Sequence, residues 1–291
     1  MKLHSKIILD LLRVKQWIKN LLVYVALVFT NNLFNQAYFI KVTIGFFLLS
    51  FAASALYILN DIKDYKEDRF HPDKKTRPIA SGAVRKDFGF AISALLIIIS
   101  LTGSFILEQG FFRIVLSYII LSLLYTMKLK HAVILDVFIV AALFVLRAIA
   151  GAFVINASIS PWLIIVTSLL ALLVIMAKRR YELSELADPS KHRKVLNEYS
   201  VSLLDEMISI SAASTVIAYS LYTFTSETAA QHQYLMLTIP FVLYGIFRYL
   251  YLMHKKNLGG SPELIFLKDW PMIVNIGLCF ITIVIIIYFA K

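Results

Sequence analysis

One cysteine, Cys279, stands in a chain of 291 residues. A single thiol inside an apolar run excludes a disulfide framework and offers no cysteine metal cluster. Low-complexity tracts and short tandem repeats are also missing, and no stretch is polar and long enough to form a separate soluble domain. The basic N-terminus is not followed by a cleavage-site pattern, so its first apolar stretch is expected to stay as a helix. Acid is scarce too: 18 Asp and Glu stand against 29 Lys and Arg, a net charge of +11. In a soluble protein that excess would suggest nucleic acid. Here no nucleic-acid partner is expected, because 59% of the residues are hydrophobic and the mean hydropathy is +0.77, whereas soluble domains are roughly 45–50% apolar.

Apolar stretches near the bilayer-spanning length of about 20 residues read as 17–35, 38–59, 87–107, 111–127, 132–155, 160–177, 205–225, 233–252 and 271–290. The expectation is an all-α polytopic membrane protein, a bundle of nine transmembrane helices forming one domain over residues 1–291. Lysine and arginine are absent from every second connection: Thr30–Asn35, Glu108–Gly110, Asn156–Ser160 and Ser226–Gln233. They collect instead in the N-terminal segment (Lys2, Lys6, Arg13, Lys15, Lys19), at Lys128 and Lys130, and in 60–86, 178–204 and 253–270. The positive-inside rule puts that basic side in the cytoplasm and the C-terminus outside, as expected of a multi-pass protein of the plasma (inner) membrane. The long charged loops 60–86 and 178–204 lie four spans apart, which hints at duplication of a four-helix unit.

The densest charge follows the second span, in Asn60-Asp61-Ile62-Lys63-Asp64-Tyr65-Lys66-Glu67-Asp68. If the helix runs on, Asp61, Asp64 and Asp68 fall at i, i+3 and i+7 and share a face. Three neighbouring carboxylates repel unless a cation sits among them. Mg²⁺ suits such a set, because it takes carboxylate oxygens and completes its shell with substrate phosphates. Arg77, Lys74 and Lys75 could meet the remaining phosphate oxygens. The plainer reading is a solvated acidic loop neutralised by its own lysines, which attachment to a membrane helix disfavours.

Three further groups each admit two readings. Lys178-Arg179-Arg180-Tyr181-Glu182-Leu183-Ser184-Glu185, with His192-Arg193-Lys194 beyond, is either an orientation signal or a phosphate site. Tyr125, Lys128 and Lys130 are either an aromatic belt residue with snorkelling lysines or part of the same site. Asp136 and Arg147 lie eleven residues apart, about three turns, and so share a helical face in the fifth span; charges at that depth rarely lack a partner or a polar cavity. For Arg147 an ion pair between helices is the alternative. Interface anchoring accounts for most of Arg13, Gln16, Trp17, Lys19 and Asn20, and for Tyr244, Arg248 and Tyr249.

Asn60-Asp61-x-x-Asp64-x-x-x-Asp68 resembles the NDxxDxxxD signature of the UbiA superfamily of intramembrane prenyltransferases, at the same place after the second helix. Arg13-x-x-Gln16-Trp17-x-Lys19-Asn20 and the Tyr125…Lys128 element are similar to that superfamily as well. Within it, the closer likeness is to the decaprenyl-phosphate phosphoribosyltransferases. It rests on Asp68-Arg69-x-His71-Pro72, Arg77-Pro78-Ile79-Ala80-Ser81-Gly82, Phe144–Gly151, Lys178-Arg179-x-Tyr181-Glu182-Leu183 and Arg248-Tyr249. Aromatic prenyltransferases of the superfamily carry a second DxxxD motif after the sixth span. Here Lys178-Arg179-Arg180-Tyr181 stands there instead, which suits a substrate with an additional phosphate that no metal neutralises.

The resemblance implies transfer of 5-phosphoribosyl from 5-phosphoribosyl 1-diphosphate to a polyprenyl phosphate, in contact with membrane lipids. It places Mg²⁺ and the leaving diphosphate at Asn60, Asp61, Asp64 and Asp68. Arg77, Lys178, Arg179 and Tyr181 are then expected at the ribose 5-phosphate, and Lys19, Lys128, Lys130 and Arg147 toward the lipid phosphate, with Tyr125 also expected to bind substrate. An aromatic prenyltransferase is the alternative enzyme. A transporter, with Asp136 and Arg147 lining a pathway, is the alternative outside enzymes.

Overall fold

The computed structural model describes residues 2–70, 74–185, 194–256, 258–260, 265 and 268–290. His71, Pro72, His192 and Arg193, together with the side chain of Lys194, lie outside the described residues. Among those described there are helices and no strands. They are α1 (Lys2–Leu11), α2 (Val25–Phe29), α3 (Gln36–Lys63), α4 (Tyr65–Phe70), α5 (Lys86–Leu107), α6 (Gln109–Met127) and α7 (Leu135–Val154). α8 (Pro161–Glu185), α9 (Val201–Thr225), α10 (Glu227–Gln231), α11 (Ile239–Lys256) and α12 (Trp270–Tyr288) follow. Eight of the described helices are long and apolar enough to cross a bilayer; the seventh such segment runs Gln233–Lys256 because a 3₁₀ turn, Gln233–Thr238, leads into α11.

The expected first span, 17–35, takes a different form. Arg13 turns the chain with left-handed dihedrals (φ 50, ψ 47), and Val14–Tyr24 then runs as a 3₁₀-helix into the short α2. A 3₁₀-helix has three residues per turn, so positions three apart line up in a row. Trp17, Asn20 and Val23 form such a row. Trp17 Nε1 donates to Ser54 Oγ at 3.0 Å, Asn20 Nδ2 donates to Ser50 Oγ at 2.9 Å, and Val23 is fully buried. The polar side chains at this spacing find their acceptors on α3 only if the segment is wound tighter than an α-helix. Stretched in this way, eleven 3₁₀ residues and the five of α2 reach about 30 Å, the thickness of a bilayer core.

The chain groups into two compact units. The first comprises Met1–Val25, Asn35–Lys130 and Leu146–Ala157. In it α3 packs along α5 through small residues: Ser93 Oγ donates to the Ala55 carbonyl at 3.0 Å and Ser100 Oγ to that of Leu48 at 2.7 Å. Small, hydrogen-bonding residues are what allow membrane helices to approach closely. Ile98, Phe105 and Ile106 stand exposed on α5, as lipid-facing side chains do. Gly151 of α7 meets the backbone of the 3₁₀ segment so closely that a Cβ there would lie 1.8 Å from the Val23 carbonyl oxygen.

The second unit comprises Ala26–Phe34, His131–Val145 and Ser158–Lys291. α8 packs along α9, and α11 along α12, around Leu173, Met176, Leu204, Ile208, Ile246 and Leu252. Asp269 caps α12 by accepting from the Met272 N–H at 3.0 Å, and Arg248 clasps the same carboxylate with two donors, at 3.1 and 2.8 Å. Those Arg248 hydrogen bonds hold the Asp269 carboxyl below its ordinary value.

Two outcomes follow from this packing. Gly151→Ala forces the 3₁₀ segment off α7 and should destabilise the protein by about 1–3 kcal/mol, the usual cost of overpacking, read as a lower melting temperature in detergent. A carboxyl with a depressed folded pKa stabilises above its unfolded value and loses that contribution as pH falls through the folded one. Asp269→Asn should therefore melt below the parent at neutral pH, and the gap should close on acidification past the ordinary Asp value of 3.8.

Candidate functional site

α3 carries Asn60 and Asp61 to its last turn, and the helix breaks at Asp64 (φ −87, ψ 15) before α4 resumes at Tyr65. That break divides the three carboxylates that an unbroken helix would have kept on one face. Asp61 and Asp68 turn to a common partner, Arg77. Its Nη1 donates to Asp61 Oδ1 at 3.0 Å and to Asp68 Oδ2 at 2.6 Å. Arg13 donates to the same Asp61 oxygen, and Lys74 Nζ lies 3.8 Å from Asp68 Oδ1. Asp64 instead accepts from Asn60 Nδ2 at 3.1 Å and from Lys130 Nζ at 2.8 Å. Asp61 and Asp68 are 3% and 2% exposed, while the Asp64 side chain keeps 27%.

Local sequence explains how the cations arrive. After Arg77 the chain closes a turn in which Gly82 takes φ 81, a conformation that side chains rarely adopt. Ile79 and Val84 anchor that turn by packing with Leu11 and Ile58, which fixes Arg77 above the carboxylates. On the opposite flank Lys63 Nζ donates to the carbonyls of Thr126 and Met127 at 2.6 and 3.2 Å. It thereby closes the C-terminal end of α6, where carbonyls lack helical partners, and the next turn presents Lys130 to Asp64. The left-handed Arg13 stacks its guanidinium 5.0 Å over the Tyr57 ring. Burial pulls that guanidinium below its ordinary value, and Asp61 opposes the shift.

Arg147 and Asp136, expected on one face of one helix, have separate partners. Arg147 belongs to the first unit, where its Nε donates to Asn20 Oδ1 at 2.8 Å and its Nη2 to the Tyr118 hydroxyl at 2.5 Å. Asp136 belongs to the second, where it accepts from Arg179 Nε at 3.0 Å and from the Tyr199 hydroxyl at 2.8 Å. Burial, then the bond to Asp136, push the Tyr199 phenol up to about 12, so this hydroxyl keeps its proton. Arg179 also donates to Glu182 at 2.9 Å, and Arg180 to Asp205 at 2.5 Å. Lys178 and Tyr181 are half-buried. Lys19 and Tyr125 are half-buried and Lys128 is exposed; Lys19 and Lys128 make no ion pair among the described residues.

Arg13 and Asn20, expected as interface anchors, and Tyr118 and Tyr199, which no expectation covers, all bind buried charged groups. Arg13 sits within the Arg13-x-x-Gln16-Trp17 pattern, a signal that was present. Nothing marks Tyr118 among the other aromatics of its span.

The oxygens of Asp61, Asp64, Asp68 and Asn60 are hard donors of the type that Mg²⁺ takes. The Arg77 nitrogen shows that one cation can touch both buried carboxylates. Among the described residues no three His, Cys, Asp or Glu side chains converge into a complete protein cage, so one or two carboxylates would share such an ion with a phosphorylated ligand.

Comparison with known proteins bears on the family and the fold. The profile described as the UbiA prenyltransferase family matches residues 21–270. The chain is 35% identical to the decaprenyl-phosphate phosphoribosyltransferase of Mycolicibacterium smegmatis over 272 residues, covering 88% of this chain and 85% of that protein. It is 33% identical to the enzyme of the same name from Corynebacterium glutamicum over 266 residues, covering 89% and 80%. A UbiA homolog from Archaeoglobus fulgidus, solved bound to GPP and Mg²⁺, shares the fold with a TM-score of 0.74 at 17% identity, over 95% of this chain and 98% of that one.

Replacing Arg77 by Gln removes the cation common to Asp61 and Asp68. The melting temperature should fall by an amount equivalent to about 1.5–3 kcal/mol, the scale of a lost charged hydrogen bond. Added Mg²⁺ should raise it more in the variant than in the parent. An equal response to Mg²⁺ in the two proteins would mean that Arg77 and a metal do not compete for these carboxylates.

Proposed function

The chain belongs to the UbiA prenyltransferase family, and from that premise we propose that it transfers a 5-phosphoribosyl group from 5-phosphoribosyl 1-diphosphate to a polyprenyl phosphate, releasing diphosphate. The observation that carries this reading is the unequal placing of charge. Acid gathers at the end of α3, while the end of α8 carries Lys178-Arg179-Arg180, of which Arg179 and Arg180 are held by Asp136, Glu182 and Asp205 and Lys178 is the cation assigned to a ligand. A donor with a metal-binding diphosphate at one end and a bare monophosphate at the other needs that inequality. The names of the relatives that match over most of their length support it.

In this mechanism a lipid phosphate oxygen attacks the anomeric carbon as the bond from that carbon to the diphosphate oxygen breaks. The nucleophile is already an anion near neutral pH, so no strong general base is required. One or two of Asp61, Asp64 and Asp68, with Asn60, would hold Mg²⁺ together with the donor's phosphate oxygens, and the ion would supply neutralisation of charge on the leaving diphosphate. Arg77 is set to offer its forked donors to phosphate oxygens. Lys178 and Tyr181 are assigned to the ribose 5-phosphate. Lys19, Lys128, Lys130 and Arg147 are assigned to the lipid phosphate, with Tyr125 beside them. The polyprenyl tail lies among apolar helix faces, each buried methylene contributing about 0.8 kcal/mol. The charged loops face the cytoplasm and the protein resides in the plasma (inner) membrane.

The assay is label transfer by purified protein with Mg²⁺. Label from phosphoribosyl diphosphate should enter the lipid phase when polyprenyl phosphate is supplied and should stop entering when a chelator is added. Asp61→Asn and Asp64→Asn should each lower the rate by about 10²-fold or more, the scale set by loss of one transition-state charge stabiliser. Transfer of a prenyl group from a prenyl diphosphate to a hydroxybenzoate, with none of phosphoribosyl, would replace this reading by the aromatic one.

A further inference from the structure

The run Lys178-Arg179-Arg180-Tyr181 does not act as one basic patch. Arg180 is committed to Asp205. Arg179 is 2% exposed and lies between two carboxylates, Asp136 and Glu182. The second oxygen of Asp136 accepts the Tyr199 hydroxyl, and that hydroxyl accepts the Ile134 N–H at 2.7 Å. Ile134 has φ 66, the left-handed region, which a β-branched residue enters only when its surroundings force it. One continuous set of contacts therefore joins the turn before α7, the end of α8, and the residue just ahead of α9.

Arg179 is almost without exposure, and drawing it toward a phosphate would pull its Nε from a wholly buried carboxylate, leaving an uncompensated buried charge, which is strongly unfavourable. Lys178 and Tyr181, at i and i+3, share the neighbouring face of α8. Behind Tyr181 the chain passes at Gly260, where a Cβ would come within 2.3 Å of the ring, so this side chain too is held in place.

We propose that Arg179 is a positioning residue: through Asp136 and Tyr199 it fixes the end of α8, and the neighbouring Lys178 and Tyr181 take the donor's terminal phosphate. The inference rests on the phosphoribosyl-transfer reading above.

A double-mutant cycle on the full-length protein tests it. Arg179→Gln and Asp136→Asn should each raise KM for phosphoribosyl diphosphate by about 10- to 100-fold, the scale of a misplaced binding group, with KM for polyprenyl phosphate unchanged. The double variant should be no worse than either single one, as expected of two residues acting as a unit. Tyr199→Phe loses only a hydroxyl and should raise the same KM, so the test stands if a charge variant fails to accumulate. Were Arg179 a direct phosphate ligand, Asp136→Asn and Tyr199→Phe would leave this KM near the parent value while Arg179→Gln raised it, and the positioning role would be lost. A parent protein unable to transfer from phosphoribosyl diphosphate would remove the underlying reading and this inference with it.

Discussion

A carboxylate buried where a membrane helix meets its loop has to be matched by a cation, and here two carboxylates share one. Arg77 lies between Asp61 and Asp68, and much of the first unit can be understood as the means of holding it there. Ile79 and Val84 are buried so that the turn after Arg77 cannot drift. Arg13 adopts a costly backbone conformation to add a second guanidinium to Asp61. The break at Asp64 lets that residue serve a different cation, Lys130. The cluster is neutralised from three segments, so it forms only when the unit has assembled around it.

The second unit solves a related problem with the signs arranged differently. Its most buried charges, Asp136 and Arg179, satisfy each other, and Tyr199 completes the carboxylate's hydrogen bonds. Buried pairs of this kind contribute little net stability, because desolvation offsets their attraction. Their effect is geometric.

Much of this was legible in the sequence, for identifiable reasons. Length and hydropathy are properties of contiguous stretches, so the long helices and the alternating charge of their connections could be read directly. The spacing of Asp61, Asp64 and Asp68 is local too. Asp61 and Asp68 meet at one nitrogen of Arg77 while Asp64, at the break, turns to Lys130, and that division depends on partners brought from 13, 77 and 130. The pairing of Asp136 with Arg179 crosses 43 residues and that of Arg147 with Asn20 crosses 127; no period or composition encodes such a choice. The 3₁₀ segment escaped for a subtler reason. Its apolar content is that of any span, and only the three-residue spacing of Trp17, Asn20 and Val23 distinguishes it.

That spacing makes the segment sensitive to its length. Each turn of a 3₁₀-helix advances by a whole number of residues, so one inserted or deleted residue turns everything beyond it by a third of a revolution. Asn20 would leave Ser50 and Arg147 together, and the carbonyl facing Gly151 would move with it. The outward row behaves differently: Lys15 and Leu21 are exposed and can change in kind without moving anything. Between residues 14 and 24, then, the fold leaves room to exchange side chains on the outward row but requires the number of residues to stay constant.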